Sequence, residues 1–402
     1  MARQLIGKDV FQAAYDRLAE IYKRNHRVVI AFSGGKDSTA CLEMAILVAR
    51  DLGRLPVEVC ICDEEIAYPG LYEFAERTAN RPEVDMNWLV LNQPGVNAFN
   101  RAEPYFWIMD PQLDPEDWVR KPPSYAKVGL EDNSIVMMIN YRNFPVEHHP
   151  SNAGWDWDET RQCLVNVLGL RAAESARRLL GLHSSGGYMT RSTAVGTYTS
   201  RPLYDWSDGD VWKFLYEMNA DYCKAYDVFL RMGVKRNKLR LGPPTISTYS
   251  VEQLKLASKA WPHWWDKVCE RLPGVRLAAQ FGSRVCKPYR RKGETWEDCY
   301  RRENLGPDTP DWIRERSQMF MDKKLKAHAA HATSPFPDVK GCISCGGSGA
   351  SWKSIADVMF SGDPQGLKTA NILPLIHPEF FRKGAGSWAG GFEHLGNIRT
   401  QW

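Results

Sequence analysis

Residues 27–38 read Arg27-Val28-Val29-Ile30-Ala31-Phe32-Ser33-Gly34-Gly35-Lys36-Asp37-Ser38. The first six form a short apolar run rich in β-branched residues, the pattern of a strand buried on both faces. Two glycines then allow a tight turn and close approach of backbone to an anion. From Thr39 to Leu52 the chain is apolar and Ala-rich, which predicts a helix. A strand, a glycine turn and a helix in that order place backbone N–H groups and the positive end of a helix dipole at the turn. Ser33 and Ser38 can donate to phosphate oxygens, and Lys36 supplies a point charge. The ordinary alternative is a structural glycine turn. The loop is not a Walker A sequence, because Asp37 rather than Ser or Thr follows the lysine.

Outward from this loop, Val10, Ala13, Ala14, Leu18 and Ile21 recur at helical spacing over residues 8–25. Val57 to Cys62 predicts a second strand, residues 70–80 a helix, and Trp88 to Leu91 a third strand. Strands alternating with helices imply a parallel α/β sheet with flanking helices. Residues 94–160, rich in Pro, Trp and Asn, predict long loops and short helices packed over the sheet. Regular patterning returns with a strand at Gln162 to Leu170, a helix at Arg171 to Leu180, and another helix at 203–219 entered through Asp205-Trp206-Ser207. Ser207 followed three residues later by Asp210 resembles a capping box. Beyond residue 220 the pattern is helical, basic and aromatic. The expected division is a nucleotide-binding α/β domain at 1–219 and a mainly helical domain at 220–402.

The octapeptide Ala31 to Ser38 resembles the PP-loop of the N-type ATP pyrophosphatases. Three further segments resemble the phosphoadenosine phosphosulfate (PAPS) reductase-like family within that superfamily: Cys62-Asp63-Glu64-Glu65-Ile66-Ala67-Tyr68-Pro69, Leu168-Gly169-Leu170-Arg171 through Arg178, and Arg201-Pro202-Leu203-Tyr204-Asp205-Trp206 through Trp212. The resemblance implies an adenine nucleotide alpha hydrolase-like fold. It also implies cleavage of ATP between its α and β phosphates, with release of pyrophosphate and adenylylation of a substrate, and Mg²⁺ as the accompanying ion. On this reading Ser33, Gly34, Gly35, Lys36, Asp37 and Ser38 line the phosphates. Asp63 or Glu65 bonds ribose or holds Mg²⁺, a solvated acidic turn being the alternative. Gly169, Arg171 and Arg178 complete the nucleotide site, and Lys36, Asp37 and Arg171 carry the chemistry. Arg171 can reach a phosphate with two donors, while Glu174 can pair with Arg171 or Arg178. The segment at 201–212 is expected to dock a helix, with Arg201 facing the nucleotide. A looser resemblance links the chain to a long branch of this family associated with ParB/sulfiredoxin-like partners.

The chain has 402 residues and a mass of 45.8 kDa, with 44% hydrophobic and 25% charged residues. These values exclude disorder, collagen and coiled coil as overall descriptions. The net charge of +4 averages over two strongly basic runs. One holds Arg231, Lys235, Arg236, Lys238 and Arg240; the other holds Arg284, Lys287, Arg290, Arg291 and Lys292. Neither run contains an acid. Arg236, Lys238, Arg240 and Arg284 therefore become candidate contacts to a polyanionic substrate such as a nucleic acid; a solvated face is the alternative. Of 15 Trp, Trp261, Trp264 and Trp265 are the candidates for base stacking. Cys342-Ile343-Ser344-Cys345 suits thiolate ligation of Zn²⁺ or an iron–sulfur cluster, yet supplies only half a ligand set. His148-His149 reads as loop. No apolar stretch of membrane-spanning length occurs, and the N-terminus turns polar early, so a reducing cytoplasmic protein is expected.

Two other functions stay open at this level. A sulfonucleotide (PAPS) reductase would need a thiol nucleophile near the C-terminus, where Gly391 to Gly396 contains no Cys. A non-catalytic, nucleotide-gated module that binds nucleic acid or a partner, in a phage-related or defence setting, would carry the same loop.

Overall fold

The structure, a computed structural model, describes residues 7–24, 26–91, 94–128, 164–174, 178–179, 181–182, 188–191, 197–245, 250–282, 286–342 and 350–364. The chain divides into two compact units. One comprises residues 1–97 and 105–279, the other residues 98–104 and 280–402.

The first unit is built on a seven-stranded sheet. Its strands are β1 (Arg27–Ala31), β2 (Val57–Asp63), β3 (Val84–Val90), β6 (Lys127–Val128), β7 (Leu164–Leu168), β8 (Met189–Arg191) and β9 (Thr197–Ser200). A separate antiparallel pair joins β4 (Pro94–Val96) to β5 (Tyr105–Trp107). The large sheet runs β6-β3-β2-β1-β7-β9-β8, with every pairing parallel except β8 with β9. This is the predicted α/β class. Helices of its main core include α1 (Val10–Lys23), α2 (Lys36–Asp51), α3 (Leu71–Ala79), α4 (Asp208–Glu217) and α5 (Ala225–Arg231).

Strand alternation separates two chemistries. Val28 and Ile30, Val59 and Ile61, Trp88, and Val165 and Val167 join the helix-covered core. On the opposite face Arg27 donates to both Glu58 oxygens at 2.8 and 2.7 Å, Asn87 donates to Glu58 at 3.3 Å, and Lys127 donates to Asn87 at 2.6 Å. A polar ladder thus crosses four strands. Cys60 and Cys62 lie on the same face as this ladder by the period of the strand, and the hydrogen bond with Cys62, together with burial, raises the Cys60 thiol well above its ordinary pKa.

The expected boundary at 219/220 is not where the compact units part. Residues 220–279 belong to the first unit because their aromatics enter its core. Phe229 packs edge-on against Tyr68 at 4.8 Å, and Trp264 lies 5.6 Å from the same ring. Trp261 sits 5.4 Å from Phe229, and Trp265 is buried. These tryptophans are primarily scaffold rather than exposed stacking platforms. Helices α6 (Val251–Ala260), α7 (Pro262–Arg271) and α8 (Val275–Phe281) follow, the last crossing the division between the units.

The second unit contains α9 (Trp296–Asn304), α10 (Asp311–Ala329) and α11 (Trp352–Met359). Tyr300, Met321, Trp352, Ile355 and Met359 form its core. Thr295 caps α9 through a reciprocal pair with Asp298, and Ser351 caps α11 with Ser354. The predicted helical character beyond residue 220 is present. No helix among the described residues is long and apolar enough to cross a membrane.

Candidate active site

The strand order places the candidate site. From β1 the chain runs through α2 to β2 on one side, while β7 pairs with β1 on the other. Open parallel sheets bind ligands beyond the carboxyl ends of strands at such a reversal. The glycine turn leaves β1, and the Gly169–Arg171 segment leaves β7. The two segments that stood out in the sequence therefore meet there.

The turn is built for close approach. Gly34 has a φ of +68°, a left-handed conformation that costs a glycine little. Helix α2 begins at Lys36, three residues before the apolar pattern suggested, so Lys36, Asp37 and Ser38 form its first turn. Ser38 Oγ donates to the Gly35 carbonyl at 2.9 Å and accepts from Ser33 N–H at 3.2 Å. Ser33 and Ser38 hydroxyls are 3.1 Å apart. Gly169 presses on this turn from β7: a Cβ there would lie 2.5 Å from the Asp37 carbonyl oxygen and 2.8 Å from Ser38 N. No larger residue fits without moving the loop.

Lys36 and Arg171 are both buried, and both are ion-paired. Lys36 Nζ lies 3.0 Å from Asp37 and 3.1 Å from Asp208. Arg171 donates to Asp37 Oδ1 at 2.6 Å and to Asp208 Oδ1 at 3.4 Å. Two cations and two carboxylates thus alternate in a closed ring with no net formal charge. Arg171 also donates to the Trp206 carbonyl at 3.4 Å. Its expected phosphate-binding guanidinium faces carboxylates in this state.

Asp208 was missed at the sequence level because it falls at a variable position of the 201–212 pattern. Its side chain is 37% exposed, against 4% for Lys36 and for Arg171, so it is the open edge of the ring. An incoming phosphate would compete with it for both cations. Asp208→Asn should therefore tighten binding of inorganic pyrophosphate in Mg²⁺-free buffer by roughly two- to fivefold, the worth of a partly exposed ion pair. Titration calorimetry checks this; unchanged or weaker binding would contradict it.

Tyr226 is the second missed residue. The Lys36 backbone N–H donates to its hydroxyl at 3.0 Å, so α5 supplies a partner to the first turn of α2. Burial raises the Tyr226 phenol pKa, which keeps it neutral. Trp212 holds the ring edge-on at 5.3 Å.

Asp63 and Glu65, expected to bond ribose or hold Mg²⁺, face internal donors in this structure. Both side chains have 0% exposure. Asp63 accepts from Trp88 Nε1 at 2.9 Å, from Glu65 N–H at 2.9 Å and from Arg120. Glu65, at a φ of +61°, accepts from Met109 N–H at 2.6 Å, Val119 N–H at 3.1 Å and Arg271 Nε at 2.9 Å. Their lone pairs staple the strand end to later segments of the chain.

Glu64 between them is half-buried, and burial with the neighbouring Asp63 charge pushes its pKa up to about 7 from 4.5. Between these values the folded chain retains a proton that the unfolded chain releases. Stability should therefore fall as pH rises across that window and level off above it. Glu64→Gln should flatten this dependence and stabilise the fold at pH 8 by about 1–3 kcal/mol. Denaturant melts at pH 5 and pH 8 decide the matter; an unchanged slope in the variant would count against it.

Around the ring lie further cations. Arg178 and Arg240 both pair with Glu174, the latter at 3.4 Å. The Arg171 backbone N–H also reaches Glu174, at 3.4 Å. Burial and the nearby Arg240 charge lower the Arg178 pKa. The first basic run thereby connects to the Arg171 segment through Arg240. Arg236 and Lys238 are exposed on a 3-10 turn. Arg201 donates to Thr190 Oγ1 at 3.0 Å. The 201–212 segment docks as expected, with Arg17 bidentate to Asp205 at 2.8 and 2.6 Å and Ser207 capping α4 with Asp210.

In the second unit, Lys287, Tyr289, Arg290, Arg291 and Lys292 are exposed, Tyr289 at 73%. Arg284 lies outside the described residues, as do Cys345 and His148-His149. Among the described residues no three His, Cys, Asp or Glu side chains gather as a metal site. Cys286 and Cys299 are buried, and His328 Nε2 lies 2.7 Å from the Ser334 carbonyl. The zinc or iron–sulfur reading at Cys342 therefore gains no support from these residues.

No family model matches the chain. The uncharacterized protein YbdN of Escherichia coli (strain K12) is 23% identical over 286 residues, which are 67% of this chain and 66% of that protein. The chain thus spans just under two thirds of that relative's length. Among solved structures, Candida glabrata FMN adenylyltransferase in complex with FAD and inorganic pyrophosphate is 15% identical, over 55% of this chain and 59% of that one, at a TM-score of 0.33. A PAPS reductase from Candida auris, as a phosphate complex, is 12% identical over 60% of this chain and 98% of that one, at 0.29. Likenesses of this size do not decide function.

Proposed function

We propose that the chain binds ATP at residues 33–38, cleaves it to AMP and pyrophosphate, and transfers the adenylyl group to an acceptor. The observation that carries this reading is the alternating ring of Lys36, Asp37, Arg171 and Asp208 at the carboxyl ends of β1 and β7. It keeps two cations stored beside the first turn of α2. A phosphate chain entering from the Asp208 side exchanges its oxygens for that carboxylate. Lys36 then stabilises charge on the departing pyrophosphate, together with backbone N–H groups of the turn. Arg171 orients the α-phosphate for attack by an acceptor oxygen, and Asp37 holds Arg171 in place.

Mg²⁺ fits Asp37 and Asp208, since this ion commonly takes one or two carboxylates with substrate phosphates. When bound it supplies neutralisation of phosphate charge. Asp63 and Glu65, with 0% side-chain exposure, are less open to the ion than Asp208 at 37%.

The acceptor in this reading is a nucleic acid or nucleotide. Support comes from the exposed run Arg231 to Arg240, which leads to Arg178 and Arg171, and from the exposed cations around Tyr289. A ParB/sulfiredoxin-like partner would belong to the same reaction system. Incubation with ATP labelled at the α-phosphate tests the reading. Label should appear on a nucleic acid or nucleotide acceptor with the native chain and not with Lys36→Ala. Absence of label on every DNA, RNA and nucleotide offered would sink the acceptor assignment.

A further inference from the structure

In the second unit, residues 286–294 form a turn whose backbone is pinned while its side chains face outward. Cys286 and Pro288 are buried; Lys287, Tyr289, Arg290, Arg291 and Lys292 are exposed. Arg302, on α9, donates to the Tyr289 carbonyl at 2.6 Å and to Glu294 at 2.9 and 2.8 Å. Glu294 also accepts from the Arg291 backbone N–H at 2.8 Å, and its carbonyl accepts from the Arg290 guanidinium at 2.6 Å. Gly293 takes a φ of +87°, the left-handed conformation that reverses the chain here.

The cations of this turn stand apart from the acids that follow them in sequence. Glu294 and Glu303 pair with Arg302, Glu297 pairs with Arg301 at 2.7 Å, and Asp298 serves the Thr295 cap. Asp338 spends an oxygen on the Trp296 N–H at 2.7 Å. Folding adds a cation that the basic run does not contain. Lys353 Nζ and the Arg290 guanidinium each lie 5.6 Å from the centre of the Trp296 ring. Tyr289, among these cations, is 73% exposed, and among the described residues no other ring or cation covers its face.

We infer that this turn docks a single-stranded nucleic acid, with one base stacked on Tyr289 and the neighbouring phosphates on Lys287, Arg291 and Lys292. Cations that track a phosphate backbone beside an open aromatic face suit single strands, because every base has a face to stack. A duplex keeps its base faces inside and would leave the tyrosine unused. A lipid surface calls for apolar side chains to enter it. The exposed residues of this turn are four cations, Tyr289 and Gly293. The partner is of the same chemical class as the proposed acceptor, yet its docking needs neither ATP nor the residues of the phosphate loop.

Fluorescence anisotropy of the full chain with labelled oligo-dT and oligo-rU strands of about 20 nucleotides tests this, beside a duplex of equal length and vesicles of phosphatidylcholine with phosphatidylserine. At least one strand should bind more tightly than the duplex. Tyr289→Ala should weaken that strand roughly 5- to 100-fold, the worth of one stacked base. Tyr289→Phe, which keeps the ring, should bind like the native chain. The triple variant Lys287→Gln, Arg291→Gln, Lys292→Gln should flatten the logarithmic salt dependence by about 2, at ~0.7 for each phosphate contact of a single strand. All these variants should melt with the native chain, because the altered side chains are exposed. Lys36→Ala should bind the strand like the native chain, which separates this surface from the ATP reaction. Failure of both strands to bind overturns the inference, as does loss of binding in Lys36→Ala. Native affinity in Tyr289→Ala, or an unchanged salt dependence in the triple variant, would place strand binding elsewhere and overturns it too. So does a duplex that binds as tightly as the strands, or binding of vesicles in place of them, which would mark a membrane-facing surface.

Discussion

Lys36→Ala should lower ATP-dependent pyrophosphate release by about 10²–10³, the range for removing one preorganised donor to developing charge. The residue is 3% exposed and sits on the first turn of α2, so its ammonium is placed by backbone rather than by a mobile side chain on the surface. Its loss has a second effect. The ring then holds Arg171 against Asp37 and Asp208, one formal negative charge in excess, and repels an incoming phosphate. Both binding and turnover should suffer. Steady-state kinetics with coupled pyrophosphate detection, alongside pyrophosphate titration, separates the two. A variant with native turnover would remove Lys36 from the chemistry.

Gly169→Ala should be the most damaging single methyl group in the first unit. The new Cβ would meet the Asp37 carbonyl group at 2.5–2.6 Å and Ser38 N at 2.8 Å. These are backbone atoms of a helix start, which cannot swing aside as a side chain would. Overpacking of this kind costs about 1–3 kcal/mol. The larger consequence is displacement of the first turn of α2, with loss of nucleotide binding even where the chain still folds. Thermal melts and ATP binding by the variant check this; native affinity for ATP would contradict the packing of β7 segment on loop.

Much of the first unit was legible because its signals are local. The apolar run at 27–32, the glycines at 34 and 35 and the alternation around 57–62 each reflect one element and its burial. Gly169 and Arg171 were legible as a segment, and the structure brings them to the loop through β1–β7 pairing. Asp208 and Tyr226 were not legible as site residues, although Asp208 falls within the 201–212 segment, since their partner Lys36 lies 172 and 190 residues away. Asp63 and Glu65 face internal donors, which the sequence did not foretell for the opposite reason. A carboxylate at a strand end carries the same local signal whether it faces ligand or accepts from Trp88, Arg120, Met109 and Arg271. The tryptophans at 261–265 pack largely into the first unit, and a core aromatic and a stacking platform are identical in composition.

The basic runs changed meaning as well. A net charge of +4 suggested little, yet Arg240 reaches Glu174 beside Arg171 while Tyr289 and its cations lie exposed in the second unit. Among the described residues the first run is tied to the ion ring through Arg240 and Glu174. It is the run whose removal should affect acceptor use most.

On the proposed function, residues 33–38 with Arg171 direct cleavage between the α and β phosphates. Phosphorus NMR of ATP incubated with Mg²⁺, the full chain and a nucleic-acid acceptor reads this directly. Pyrophosphate should appear in step with AMP or an adenylylated acceptor, and none of these with Lys36→Ala. Formation of ADP and inorganic phosphate by the native chain would contradict it.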